Sequence, residues 1–321
     1  MSSSSASNWT TRELNRIPSP SAKLRPSTAA VAGGAGGGGG GKPPLVLTSL
    51  RNGVLTITMN DPKRLNAWTK PMMDAWQGAL RDANTDDAVK AVILTGAQGH
   101  RDFYCAGVNL AAVIRPMHPR ALSKLIVRAN AGLFDAFLDL RKPIVAAVNG
   151  PAIGASVTSS TLCDAVVASA NATFSTPFAK LGVTPEGCSS VNFARLMGEH
   201  NAQRMLGPEG HAPTAAEWHE WGVVDEVVAS PDTLLARAQA RAEAMVAEGR
   251  ARAPLGTDGS DWAISELKRI NAEESRTLAR AFLSQPFLEQ QQAFLASRKK
   301  YAPAAVFGLL AKTHPAWSKM V

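Results

Sequence analysis

Residues 143–156 constrain this chain more than any other stretch. Behind Pro143 the run Ile144 to Val148 is wholly apolar. It passes straight into Asn149-Gly150-Pro151-Ala152-Ile153-Gly154-Ala155-Ser156, a turn of small residues that opens a helix. Similar strands stand on either side, at Ala91 to Leu94 and Ala165 to Ala168. Between them, residues 119–141 carry Leu122, Leu125, Ile126, Leu133, Phe134, Phe137 and Leu138 at helical spacing. Strands alternating with helices in this way predict an α/β fold of parallel β–α–β units.

The flanks fill in around that centre. Val46 to Leu50 and Val54 to Met59 are short β-type runs separated by Arg51-Asn52-Gly53, an Asn-Gly hairpin signal. Lys70 to Ala83 repeats Met72, Met73, Trp76 and Leu80 as a helix face would. From about residue 233 the strands stop, and Leu234 to Ala247, Trp262 to Leu283 and Pro286 to Arg298 read as helices. Their apolar faces must pack on the core, on each other or on another subunit.

The first 44 residues are of another kind. They are rich in serine, run into Gly36 to Gly41, and hold five bases against Glu13 alone. Such a composition cannot bury enough apolar surface to offset chain entropy, so a disordered tail is one reading. A mitochondrial transit segment is the other. The tail also explains the charge. Of the net +8, it carries half, leaving 29 bases against 25 acids in the rest. That balance suits an anionic small ligand at least as well as a nucleic-acid backbone. The organisation expected is therefore a tail over 1–44, a core over 45–232 and a helical region over 233–321.

Other classes fall away. Cys105, Cys163 and Cys188 are too few and scattered for a disulfide framework, and no CxxC pair is present. No run of about 18 apolar residues exists to cross a membrane. The histidines have neither metal spacing nor a nucleophile pattern, and read as surface or loop residues. Neither of the glycine-bearing turns, at 103–110 and 149–156, fits GxGxxG or GxxxxGK[ST], which leaves dinucleotide and P-loop readings without support.

Chemistry has three places to reside. Phe103-Tyr104-Cys105-Ala106-Gly107-Val108-Asn109-Leu110 and the turn at 149–156 both follow core strands. Backbone N–H groups exposed at such turns can hold an anion or a developing oxyanion. Two turns could aim one N–H each at a single oxygen. The third place is Thr184-Pro185-Glu186-Gly187-Cys188-Ser189-Ser190, where a carboxylate sits in a small, weakly polar segment. Glu186 is either a charge favoured by a helix N-terminus or a base whose pKa burial can raise.

Taken in order, NDPKRLNAW, FYCAGVNL, NGPAIGASVTSSTLCDAVVAS and FSTPFAKLGVTPEGCSS resemble the crotonase superfamily, the enoyl-CoA hydratases and isomerases. The resemblance runs from about Leu45 to Val228 and implies the crotonase spiral of β-β-α units with a C-terminal helical region. It also implies an acyl-CoA substrate, with no metal or redox cofactor. The thioester carbonyl would lie in an oxyanion hole made by the backbone N–H groups of Val108 and Ala155. One such donor is typically worth about 2.7–4 kcal/mol in the transition state. Ala155 lies where hydratases usually carry glycine, and Asn109 where the family usually has an acid.

Within the family, hydration uses two glutamates, which align here with Thr158 and Phe178. Neither can work as a carboxylate. Glu186 remains, in a PEG segment resembling the Δ3,Δ2-enoyl-CoA isomerases of the peroxisomal-type subgroup. Asn271 to Lys299 looks like the end of the same isomerases. Such an enzyme serves fatty acid β-oxidation. Lys63, Arg64, Leu65 and Ala67 would meet CoA, with Ala106, Gly107 and Gly154 beside the substrate; the two bases could equally be solvated loop charges. Lys299 and Lys300 could reach CoA from the helical end. The family further implies a homotrimer or dimer of trimers, with no nucleic acid or stable membrane insertion, in the mitochondrial matrix or alternatively a peroxisome. The alternatives are another crotonase activity (hydratase or dienoyl-CoA isomerase) or a non-catalytic acyl-CoA-binding protein. The stretch after Lys300 has no functional reading.

Overall fold

A computed structural model of the chain describes residues 43–99, 102–109 and 117–320. The tail expected over 1–44 therefore lies almost wholly outside the described residues. Two antiparallel strands come first, β1 (Val46–Arg51) and β2 (Val54–Met59). The turn between them holds Asn52 and Gly53 at φ 51° and 76°, the left-handed pair that an Asn-Gly hairpin requires. Helix α1 (Lys70–Thr85) follows, capped by the Thr69 hydroxyl, and then β3 (Ala91–Gly96). After α2 (Pro119–Leu138) come β4 (Ile144–Val148), the short β5 (Ala152–Ile153) and α3 (Ala155–Ser160). Next are β6 (Ala165–Ser169), the short β7 (Phe174–Ser175), α4 (Ser189–Leu206), α5 (Ala215–Glu220) and β8 (Glu226–Val228). The chain ends in four helices, α6 (Pro231–Ala247), α7 (Asp261–Phe282), α8 (Gln285–Ser297) and α9 (Tyr301–Trp317).

The main sheet runs β1-β2-β3-β4-β6-β8, and every pair beyond the first hairpin is parallel. Each strand after β2 is buried along its length or pairs with one that is, so β3, β4 and β6 carry apolar residues on both faces. A second, smaller layer forms where the chain leaves that sheet. There β5 pairs in parallel with β7, and Cys105 bridges to Ala152. Successive units thus place one long strand in the main sheet and one short segment in the side layer, winding as a spiral.

The two sheet faces bury different partners, as alternation along a strand dictates. Ala91, Ile93, Val145, Ala147, Ala165 and Val167 face α6, meeting Leu234, Ala238, Ala242 and Met245. The many alanines on both sides let this helix lie close to the strands. Helix α6 accordingly belongs to the layered core, although it comes after the last strand. The opposite face holds the bulk of the core, where Trp68, Trp76 and Phe137 pack in series with ring centroids 5.1 and 5.2 Å apart. Trp218 is fully buried and stacks on Phe174 at 3.9 Å.

Helices α8 and α9 form a separate apolar cluster with the outer face of α2 and the end of α7. Phe282 stacks on Phe287, which meets Phe307 edge-on. The stretch after Lys300 is therefore helix α9, packed through Ala304, Phe307 and Leu310. Among the described residues no helix is long and apolar enough to cross a membrane.

One buried ion pair pins the loop between α6 and α7 to the bottom of the sheet. Asp164 accepts the Ile144 N–H at 2.8 Å, the Ala253 N–H and the Arg252 guanidinium at 2.8 Å. Both side chains are under a tenth exposed. Removing one member leaves the other charged and buried without its partner, which typically costs about 3–5 kcal/mol. Asp164→Ala should lose stability on that scale in denaturant unfolding. A loss within the ordinary surface range of about 0.5 kcal/mol would show that the pair contributes little.

Candidate active site

The two glycine turns lie side by side above the C-terminal ends of β3 and β4, the end at which open parallel sheets present ligand crevices. Their contact is backbone to backbone. The Tyr104 and Cys105 N–H groups both donate to the Pro151 carbonyl, at 3.2 and 3.4 Å, and the Ile153 N–H donates to the Cys105 carbonyl at 3.0 Å. The Ser156 hydroxyl adds a bond to the Cys105 carbonyl at 3.2 Å. Asn149 ties the strand ends together by accepting the Gly96 N–H at 3.2 Å. Gly107 is forced by this closeness. Its φ is 80°, and a Cβ there would stand 2.6 Å from the Ile153 carbonyl oxygen.

A third segment runs along the first turn. The Ala106 N–H donates to the Leu65 carbonyl, Trp68 N–H to the Gly107 carbonyl, and Asn109 N–H to the Trp68 carbonyl, all at 2.9–3.0 Å. Leu65 and Asn66 hold left-handed φ values of 54° and 53°. Buried Asn66 fixes that bend by donating to the Ala97 and Phe103 carbonyls at 3.0 and 2.9 Å. Leu65, Ala67, Ala106 and Gly107 are thus brought together. Lys63 and Arg64 sit on the exposed turn before them, with Arg64 paired to Asp61 at 3.0 Å. Lys299 and Lys300 are exposed between α8 and α9.

Two backbone donors remain unspent in this knot. Among the described residues, neither the Val108 N–H nor the Ala155 N–H has an acceptor. Val108 follows the bridge to Trp68, and Ala155 is the first residue of α3, where no intrahelical acceptor exists. Gly154 precedes it at φ 62°.

Glu186 approaches from the far side. Gly187 and Cys188 both adopt φ of 65°, a double left-handed turn that ends at the start of α4. A Cβ on Gly187 would come within 2.5 Å of the Phe134 ring and 2.6 Å of the Thr158 hydroxyl. The turn therefore presses against α2 and α3, and Glu186 is buried. Glu186 lines a cavity of about 60 Å³ together with Val108, Asn130, Leu133, Leu278 and Phe282. Among the described residues its carboxylate has no hydrogen-bond partner. Burial is the main cause that pushes its pKa up to about 8, and the nearby carboxylate of Glu274 pushes it the same way.

Thr158 and Phe178 are buried and carry no acid, and Thr158 lies against the Gly187 turn. The Thr158 hydroxyl is spent on the Ala155 carbonyl at 3.3 Å. Glu274, on α7, is the site residue that sequence reasoning passed over. It lies inside the stretch read as an isomerase-like end, at the helical spacing Asn271, Glu274, Ser275, Leu278 and Phe282, all buried on one face of α7. A charged residue on such a face was the available signal.

The cysteines are buried. Burial pushes the Cys105 and Cys163 thiols up to about 12 and raises that of Cys188 as well, which suits packing and not nucleophilic work. His118, His200, His211, His219 and His314 are exposed or half-buried, while His100 lies outside the described residues. A larger cavity of about 230 Å³ is lined by Pro143, Asp164, Arg250 and residues 253–257. It sits at the opposite end of the strands, and its one carboxylate is the Asp164 already saturated by Arg252 and two N–H groups.

Comparison with known proteins agrees with this geometry. The enoyl-CoA hydratase/isomerase family model matches residues 49–301, and the chain belongs to that family. The chain is 41% identical over 185 residues to enoyl-CoA delta isomerase 2 of Rattus norvegicus, covering 57% of this chain and 46% of the rat protein. It is 31% identical over 273 residues to 1,2-epoxyphenylacetyl-CoA isomerase of Escherichia coli, covering 84% and 97%. The crystal structure of an enoyl-CoA hydratase/isomerase from Pseudoalteromonas atlantica superposes with a TM-score of 0.66 at 29% identity, covering 79% of this chain and 97% of that one. The fold is thus that of the crotonases, and the chain spans about half the length of the rat delta isomerase that it matches.

The raised pKa of Glu186 has a stability consequence. Between its ordinary value of 4.5 and about 8, the folded chain keeps a proton on Glu186 that the unfolded chain has released. Stability from this group therefore falls as pH rises through that window, and changes no further above it. Glu186→Gln should gain on the wild type between about pH 5 and about pH 8 in paired unfolding experiments. A constant difference between the two proteins across that range would sink the burial argument.

Proposed function

We propose that the chain is a Δ3,Δ2-enoyl-CoA isomerase that moves the double bond of a 3-enoyl-CoA to the 2-trans position by a one-carboxylate 1,3-proton shift. The observation that carries this reading is a single cavity wall. Buried Glu186, whose carboxylate has no hydrogen-bond partner among the described residues, lines the same apolar cavity as Val108, whose N–H has no acceptor among them. The acyl chain would enter between Ile126, Leu133, Leu278 and Phe282. The thioester carbonyl would accept the Val108 and Ala155 N–H groups.

Chemically the step needs little. Glu186 takes a proton from C2, and the electron pair spreads over the carbonyl oxygen as a dienolate. The two N–H groups stabilise that oxygen more than they stabilise the neutral carbonyl, which is what lowers the barrier. The same proton returns at C4 as the double bond moves, so no electron leaves the substrate and no co-reactant is consumed. The raised pKa makes Glu186 a stronger base than an exposed glutamate once it is ionised.

Hydration is the rival within the family. It would need a second carboxylate at the cavity to place water, and Thr158 and Phe178 stand where those acids belong. Glu274 is a second acid nearby, but both its oxygens accept backbone N–H groups and it does not line the cavity. For CoA, the proposal keeps Leu65, Ala67, Ala106, Gly107 and Gly154 along the stitched turns. Lys63 and Arg64 would meet the phosphates from the exposed turn before them. The rat and mouse relatives named as enoyl-CoA delta isomerases support this choice over the hydratase.

The test is turnover of trans-3-hexenoyl-CoA and crotonyl-CoA by the wild type and Glu186→Gln. We expect isomerisation with little hydration, falling by about 10²–10⁴-fold in the variant. Isomerisation that survives the substitution would move the base elsewhere. Tight acyl-CoA binding without turnover of either thioester would favour a binding protein.

A further inference from the structure

Glu186 has a neighbour of like charge held in a very different setting. Glu274 projects from the middle of α7 and is under a tenth exposed. One of its oxygens accepts the Cys188 N–H at 2.6 Å and the other accepts the Ser190 N–H at 2.8 Å. These donors frame the start of α4, whose cap residue Cys188 gives the helix no side-chain cap. The Cys188 thiol donates to the Leu267 carbonyl at 3.2 Å, a second tie from the same turn to α7. Helix α7 is in turn fixed to α2. Asn271 donates to the Ala131 carbonyl and to Asp135, both at 2.9 Å, and Asn130 donates to the Ser275 hydroxyl at 3.0 Å.

We propose that Glu274 is a positioning residue: from α7 it clamps the left-handed turn that aims Glu186 into the cavity, and its charge keeps Glu186 a strong base. The inference rests on Glu186 being the base of the proposed reaction. Two buried carboxylates that feel each other cannot ionise together cheaply, and hydrogen bonding decides which ionises first. Glu274 receives two N–H bonds and Glu186 receives none among the described residues, so of the two Glu274 ionises first and Glu186 last. Burial raises Glu274 and its N–H bonds oppose that rise, whereas nothing opposes the rise at Glu186. The other charges around the turn are occupied. Asp135 of α2 accepts from Asn271, and Arg195 of α4 pairs with Glu266 of α7 at 2.9 Å.

A glutamine at 274 keeps the shape, loses the charge and can accept only one of the two N–H groups. Glu274→Gln should lower kcat for trans-3-hexenoyl-CoA by about tenfold to a hundredfold with KM within about twofold, because the base is weakened and its aim loosened. The acid limb of kcat/KM should move to lower pH by about one unit. A purely structural glutamate would leave that limb where it was, and such a result overturns the proposal.

A carboxyl titration by ¹³C NMR, with Glu186→Gln assigning the signal, reads the same coupling without any turnover. Glu186 should titrate lower in Glu274→Gln than in the wild type even if the isomerase reading fails; an unmoved titration refutes the electrostatic role. Glu274→Asp covers the case in which the glutamine variant does not fold. It keeps the charge and shortens the clamp, so Glu186 should stay raised while kcat falls. A Glu186 titration lowered in the aspartate variant to the ordinary carboxylate range, or kcat unchanged in it, would count against the proposal equally.

Discussion

Strands buried on both faces leave no choice about where the backbone goes at their ends. Every N–H and C=O leaving the sheet must find a partner within a few residues, because water is not there to supply one. In this molecule the side layer is the solution. Pro151 accepts from Tyr104 and Cys105, Cys105 accepts from Ile153, Ser175 accepts from Gly154, and Thr173 accepts from Ala152. That net of bonds brings three strand ends together and demands the small residues seen there. The Gly107 contact with the Ile153 carbonyl shows how little room remains. Against that accounting, the N–H groups of Val108 and Ala155, without acceptors among the described residues, stand out. Polar groups left unspent in a saturated environment are where a ligand gains most by supplying the missing partner.

The same logic separates the two carboxylates. Glu186 and Glu274 are both buried, and burial alone would raise both. What distinguishes them is the direction in which the backbone of 186–190 points its donors. The left-handed conformations at Gly187 and Cys188 turn the Cys188 and Ser190 N–H groups toward α7 and away from Glu186. A single stretch of five residues thus feeds one acid and starves the other. The stored cost at Glu186 is an ionised form that the fold does not support, and under the proposed reaction that cost is what gives the base its strength.

The layered core was legible because its signals are local. Asn52-Gly53 specifies its own hairpin, apolar runs behind Pro143 and at 91–94 and 165–168 declare buried strands, and the helices over 119–138, 261–282 and 285–297 follow from apolar spacing. Glu186 was legible too, since a carboxylate between proline and glycine in an apolar setting is chemically conspicuous. Tertiary contacts were not. Helix α6 reads as the first of a helical appendage, and only its close fit of Ala238 and Ala242 on the sheet makes it core. Glu274 looks like one more acid among several in a charged helix. Its importance comes from two N–H groups more than 80 residues earlier in the chain, which no spacing rule connects to it.

Helix α7 then joins features that the sequence keeps apart. Along one face Asn271 and Ser275 lock it to α2, Glu274 holds the turn of Glu186, and Leu278 and Phe282 close the cavity. Under the proposed reaction, acyl chain and base would therefore rest on the same element. A shift of α7 that enlarged the cavity would also loosen the turn and draw the second charge away from Glu186. Chain-length tolerance and basicity would then be coupled through one helix under the proposed reaction, because α7 both lines the cavity and holds the turn of Glu186. Thr158 and Phe178, which the family resemblance places where hydratases would carry acids, belong to different elements. Under the proposed reaction, substitution there removes water-directing groups while leaving the contacts of α7 with the Glu186 turn intact, which is how a fold shared with hydratases would keep proton transfer and give up hydration.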